Sequence, residues 1–130
     1  MCGIVGMIGS SEWSRTALHE SVIKMAATMV HRGPDDHGAW VASEAPVALG
    51  HRRLSIQDLS PSGHQPMVSP GGRYCMIYNG EVYNFKLLAE ELSKLGHAFR
   101  GKSDTEVILT GFDEWGIEET LKRSQGMFAM

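Results

Sequence analysis

Met1-Cys2-Gly3-Ile4-Val5-Gly6-Met7-Ile8-Gly9 is short, apolar and punctuated by glycine. That pattern predicts a buried strand whose glycines allow other backbone to approach closely. Working outward, Leu18, Val22, Met25 and Met29 follow the spacing of an amphipathic helix over residues 14–30. His31-Arg32-Gly33-Pro34-Asp35-Asp36-His37-Gly38 stops that helix, because Pro34 disfavours helix at Gly33. Short strands follow at 39–42 and 47–54, with Pro46 at the turn between them. Residues 57–72 hold three of the five prolines and three glycines and read as a long loop, a length that usually signals function or mobility.

Residues 73–78 read as a strand broken by Asn79-Gly80. Leu88, Leu92 and Leu95 mark a second helix, entered through Asn84 as N-cap and closed by Gly96. Ser103-Asp104-Thr105-Glu106 is a capping box. It opens a third helix through Ile108, Phe112 and Trp115 to Gly116. A short helix at 118–123 and a strand from Gln125 complete the series, which predicts an α+β fold with a largely antiparallel sheet. The apolar run Gly126-Met127-Phe128-Ala129-Met130 carries no cap or turn. The expectation is that the sheet is truncated there and that further strands follow.

A length of 130 residues allows one domain. A hydrophobic content of 42% is too rich for disorder. The 12 Lys and Arg against 15 Asp and Glu leave a formal charge of −3. That near balance argues against nucleic-acid binding, which needs a basic face. No apolar run approaches the roughly 20 residues of a spanning helix, so no membrane is expected. The N-terminus lacks the basic and long apolar regions of a secretory signal. With only Cys2 and Cys75 and no disulfide framework, a reducing cytoplasm is the expected location. The 15 glycines, about 12% against a usual ~7%, point to tight turns or backbone close to a ligand.

Four positions offer chemistry. A cysteine at position 2 is more often incidental. If Met1 is removed, however, Cys2 carries both a thiol nucleophile and a free α-amine, whose ordinary pKa of about 7.7–8.0 suits a base near neutral pH. Asn79-Gly80 reads structurally as a type I′ turn. Functionally it reads as an oxyanion hole, a side-chain amide beside an unhindered backbone N–H. Glu81 directly after it suits a substrate cation. In Leu49-Gly50-His51-Arg52-Arg53-Leu54-Ser55-Ile56 an Arg is either a solvated or ion-paired residue or a fork for a carboxylate. Asp104 either complements a helix dipole or captures an ammonium. The six histidines show no HExxH or paired Cys-His spacing, so no metal site is expected, and Gly3, Gly6 and Gly9 do not make a GxGxxG fingerprint. Cys75, within an apolar segment, reads as a small buried hydrophobe.

Taken together, Met1-Cys2-Gly3-Ile4-Val5-Gly6, His31-Arg32-Gly33-Pro34-Asp35, Arg53-Leu54-Ser55-Ile56 and Asn79-Gly80-Glu81-Val82-Tyr83-Asn84 resemble the class II glutamine amidotransferases. The nearer likeness is to the glutaminase domain of glutamine-hydrolysing asparagine synthetases. Ser103-Asp104-Thr105-Glu106-Val107-Ile108 and Gln125-Gly126-Met127-Phe128-Ala129 fit the same pattern, in order over nearly the whole chain. The resemblance implies an N-terminal-nucleophile hydrolase fold, a four-layer α/β/β/α sandwich of antiparallel sheets. Residues 1–130 would form its glutaminase domain, truncated at the C-terminus. It implies that Cys2, exposed by loss of Met1, attacks the side-chain amide of glutamine while Asn79 and Gly80 hold the oxyanion. Arg53 would hold the substrate carboxylate, with Leu54, Ser55, Ile56 and Gln57 beside it. Glu81 and Asp104 would hold the ammonium, and Arg32 with Gly33 would support the nucleophile.

On this reading the glutaminase step takes no cofactor, and ATP and magnesium belong to a synthetase domain absent from these residues. The partners are L-glutamine, that synthetase domain and, as an assembly to test, a homodimer. Two alternatives stand beside it. One is a non-catalytic fragment that binds glutamine or a partner. The other is an amidotransferase acting on a different carboxylate such as a sugar acid. A phosphoribosyl or sugar-phosphate amidotransferase fits less well, since those relatives usually lack a Glu where Glu81 stands.

Overall fold

The computed structural model of the chain describes residues 1–56 and 59–130. In order they form β1 (Gly3–Ile8), α1 (Arg15–Ala27), β2 (Asp36–Val41), β3 (Val47–Arg53) and a single 3-10 turn (Pro61–Gly63). There follow β4 (Met67–Val68), β5 (Cys75–Met76), β6 (Asn79–Val82), α2 (Phe85–Lys94), α3 (Asp104–Trp115), α4 (Ile117–Arg123) and β7 (Gly126–Ala129). The described strands make three sheets, ordered β1-β3-β2, β4-β5 and β6-β7, and every pairing is antiparallel. The chain is therefore mixed α and β with antiparallel sheets, as its sequence pattern predicts.

Two apolar cores hold these elements. In the first, Leu18 and Val22 of α1 pack on Ala48 of β3, with Val5, Met7, Ala39 and Val41 around them. Ser14 caps α1 by accepting a hydrogen bond from the Ala17 N–H. The buried stripe is Leu18, Val22 and Ala26, whereas Met25 is exposed and Met29 half-buried, which corrects the expected spacing. The cause is that the helix lies on the sheet along an i, i+4 row, whose third position falls on Ala26. The strand β1 is an edge strand with Ile8 and Gly6 exposed, not the buried strand expected, because β3 takes the central place.

In the second core Tyr78, Val82, Leu88 and Leu92 pack against Val107, Ile108, Leu109 and Phe112 of α3. Burying each large aliphatic side chain contributes roughly 1.5–3 kcal/mol. Ser103 caps α3 through the Glu106 N–H, while the Glu106 carboxylate turns back to the N–H groups of Arg100 and Gly101. Gly116, at φ 83°, ends the helix as expected.

Three local expectations fail for reasons of tertiary contact. Asn79-Gly80 is not a hairpin turn. Gly80 lacks the positive φ that a type I′ turn needs, and both residues lie in β6, paired with β7. Residues 73–78 supply only a two-residue strand, Cys75–Met76, whose partner β4 gives part of the expected 57–72 loop a regular pairing. The Asn84 side chain makes no cap hydrogen bond to α2. Instead its Nδ2 donates to the Arg123 carbonyl and its Oδ1 accepts from the Gln125 N–H, clipping α2 to the end of α4.

Candidate active site

The start of β1 and the end of β3 pair as antiparallel neighbours, Gly3 opposite Arg52. That register brings Cys2 beside Leu54. The Leu54 N–H approaches the Cys2 Sγ at 3.4 Å, and the Sγ faces the Leu54 carbonyl at 3.7 Å. The Arg32 Nε donates to the Cys2 carbonyl at 3.2 Å, so the loop after α1 fixes the backbone of the second residue. Gly33 lies on the Arg52–Arg53 backbone, where any Cβ would collide.

A cavity of about 420 Å³ opens beside the Cys2 thiol. Its lining includes Cys2, Arg53, Asn79, Gly80, Glu81 and Asp104, drawn from segments up to 102 residues apart in sequence (Cys2 to Asp104). Leu54 and Ile56 also line it, and Met1 lies at its rim, 73% exposed. Arg53 and Asp104 are 7% and 6% exposed, one cation and one anion facing the same space. The Arg53 Nη1 donates to the Ser60 carbonyl at 2.9 Å, and its guanidinium lies across Gly63. Asn79 lines the cavity, and among the described residues no hydrogen-bond partner holds its side-chain amide.

Of the expected site residues, Ser55 does not line the cavity. Its N–H is taken by the Asp35 carboxylate at 2.7 Å. Arg32 and Gly33 stand behind Cys2, outside the cavity. Glu81 is on the rim and exposed, in contrast to the buried Asp104. Gln57 lies outside the described residues. Cys75 is away from the cavity, and burial pushes its thiol up to about 11, which leaves it uncharged at neutral pH.

Sequence reasoning missed Gln65, Tyr78, Ser103 and Thr105 in the lining. The Gln65 Oε1 accepts the Tyr78 N–H at 2.7 Å, and its Nε2 donates to the Thr105 Oγ1 at 3.3 Å. The His51 Nε2 donates to the Tyr78 carbonyl at 3.1 Å. His51 is fully buried, and that burial pushes its pKa down to about 4. It is therefore neutral near pH 7, with the proton on Nε2 and a buried, unpartnered Nδ1. The one signal that could have found Tyr78 is its place directly before Asn79-Gly80; Gln65 carries no local signal.

A family profile described as "Glutamine amidotransferase domain" matches residues 1–130. The chain is 42% identical over 130 residues to "Asparagine synthetase [glutamine-hydrolyzing] 1" of Bacillus subtilis, covering 99% of this chain and 20% of the relative. It is 38% identical to "Asparagine synthetase [glutamine-hydrolyzing] 2" of Arabidopsis thaliana, covering 99% of this chain and 21% of the relative. It is 34% identical to "Amidase chry2" of Gibberella zeae, covering 99% of this chain and 20% of the relative. The chain thus spans about a fifth of the length of the curated relatives it matches. With its profile matched from end to end, the chain belongs to the glutamine amidotransferase domain family.

Proposed function

We propose that this chain hydrolyses the side-chain amide of L-glutamine at Cys2 and supplies the ammonia to an ATP-dependent synthetase domain, as in the asparagine synthetases it resembles. The observation that carries the reading is the convergence of Cys2, Arg53, Asp104 and Asn79-Gly80 on one cavity. An amino acid is a zwitterion, and a site for it needs one cationic and one anionic clamp. Arg53 meets the carboxylate through its planar fork, and Asp104 meets the α-ammonium, with Glu81 at the rim adding negative charge.

With Met1 removed, the Cys2 α-amine takes the thiol proton and the sulfur attacks the amide carbon. Negative charge then develops on the amide oxygen, where the Asn79 amide and the Gly80 N–H stabilise it. Collapse expels ammonia, protonated by the Cys2 amine, and leaves a glutamyl thioester. Water attacks the thioester, the sulfur leaves, and glutamate is released. Leu54 and Arg32 contribute by fixing the sulfur and the Cys2 backbone before reaction.

Among the described residues no three His, Cys, Asp or Glu side chains cluster as a metal ion would require. The ATP and magnesium assigned to the synthetase domain enter none of these steps. The four-layer sandwich is part of the same proposal, supported by the antiparallel sheets and the helices packed on them. So is residence in the cytoplasm, supported by the free Cys2 and Cys75. Among the described residues no helix is long and apolar enough to cross a membrane.

Glutamate release from L-glutamine tests the reading. Cys2→Ala is expected to lower the rate at least about a thousandfold while glutamine still binds. A Cys2→Ala variant as active as the parent chain would falsify it.

A further inference from the structure

The carboxylate of Asp104 is already engaged before any substrate arrives. An ionised carboxylate accepts about four hydrogen bonds. Its Oδ2 accepts the Tyr78 hydroxyl at 2.9 Å and the Val82 N–H at 3.0 Å, and its Oδ1 accepts the Thr105 N–H at 2.9 Å. Acceptor capacity for a ligand therefore remains on Oδ1. The Val82 and Thr105 donors are backbone groups that any residue but proline would supply. Among the described residues Tyr78 is the one side chain that donates to Asp104.

Tyr78 is held independently of that hydroxyl. Gln65 takes its N–H, His51 donates to its carbonyl, and its ring lies 6.3 Å from that of Phe128, centroid to centroid. Burial, with the Asp104 carboxylate beside it, pushes the phenol well above its ordinary pKa, so it remains a donor at every working pH.

We infer that Tyr78 is a positioning residue, whose hydroxyl turns the Asp104 carboxylate so that Oδ1 meets the α-ammonium of the amino-acid substrate. The inference rests on the glutaminase reading above and deepens it. It separates the ammonium clamp from the oxyanion hole, although Tyr78 directly precedes Asn79 and Gly80 in the chain. Removing the hydroxyl loosens recognition of the ammonium and leaves the bond-breaking groups where they are.

Steady-state kinetics of the full chain test this with Tyr78→Phe, using L-glutamate and glutarate as competitive inhibitors. Glutarate has the same two carboxylates without the ammonium. The KM for L-glutamine and the Ki of L-glutamate are expected to rise about tenfold, the loss of one hydrogen bond to a charged group. With only ground-state recognition affected, kcat stays within about twofold. The Ki of glutarate stays unchanged, which also shows that the variant is folded. An unchanged KM, or an equal rise in both inhibition constants, overturns the inference while leaving the glutaminase reading intact. A parent chain with no Cys2-dependent glutamine hydrolysis overturns that reading and the inference with it.

Discussion

Arg53 reaches its place in the cavity because position 63 carries no side chain. A Cβ on Gly63 would overlap the Arg53 guanidinium, whereas a Cβ on Gly80 would overlap the β7 backbone at Met127 and Phe128. The two neighbours differ in what can yield. A guanidinium on a long side chain can swing aside, but a paired strand cannot move without breaking its ladder. Gly63→Ala is therefore expected to displace Arg53, the proposed carboxylate clamp, and lower kcat/KM by about tenfold or more. Its unfolding midpoint should move less than that of Gly80→Ala, where overpacking costs about 1–3 kcal/mol. Urea unfolding of both variants beside the glutamine kinetics checks the pair. A Gly63→Ala chain with parental kinetics contradicts the placement of Arg53.

At the scale of elements, His51 joins the two cores, reaching from β3 to the Tyr78 carbonyl just before β6. Its imidazole is held at about 4 by burial, against an ordinary 6.5. Between these values the unfolded chain binds a proton that the folded chain refuses. Stability is thus fully present above pH 6.5 and falls as pH drops toward 4, by up to about 3 kcal/mol. Denaturant midpoints from pH 7 to 4.5 should show that slope, and His51→Gln should flatten it. An unchanged slope in the variant would place the titration elsewhere.

The same elements mark what the sequence made legible. The Leu18–Val22 stripe, the Ser103 cap and the Gly116 stop depend on neighbours within a few residues, and each is found in the structure. Asn79-Gly80 misleads because its deciding partner is β7, about 50 residues away. Asn84 misleads for the same reason, since Arg123 and Gln125 compete for its amide against the local cap. Cys2, an Arg in 49–56 and Asp104 each carry a structural reading beside the chemical one, and only the resemblance assigns them to a single substrate. Gln65 and Tyr78 become notable only when burial leaves their polar groups facing one another.

Across the whole molecule the cavity lies where the two cores meet. β1 and β3, with α1 behind them, bring Cys2 and Arg53; β6 and α3 bring Asn79, Gly80 and Asp104. The proposed nucleophile and carboxylate clamp thus come from one half of the fold and the proposed oxyanion hole and ammonium clamp from the other, and a bound amino acid would touch both. Since the chain spans about a fifth of its relatives' length, delivery of ammonia to a synthetase domain is a claim about a longer protein. Hydrolysis at Cys2 is a claim about these residues. The measurement that tests it most directly is the mass of the N-terminal peptide after exposure to a γ-diazoketone analogue of glutamine. This reagent alkylates a nucleophilic sulfur with loss of dinitrogen. The account predicts a peptide that begins at Cys2, has lost Met1 and carries one adduct on the sulfur, with L-glutamate protecting it and Cys75 unmodified. Labelling that ignores L-glutamate, or an adduct on any residue other than Cys2, would contradict it.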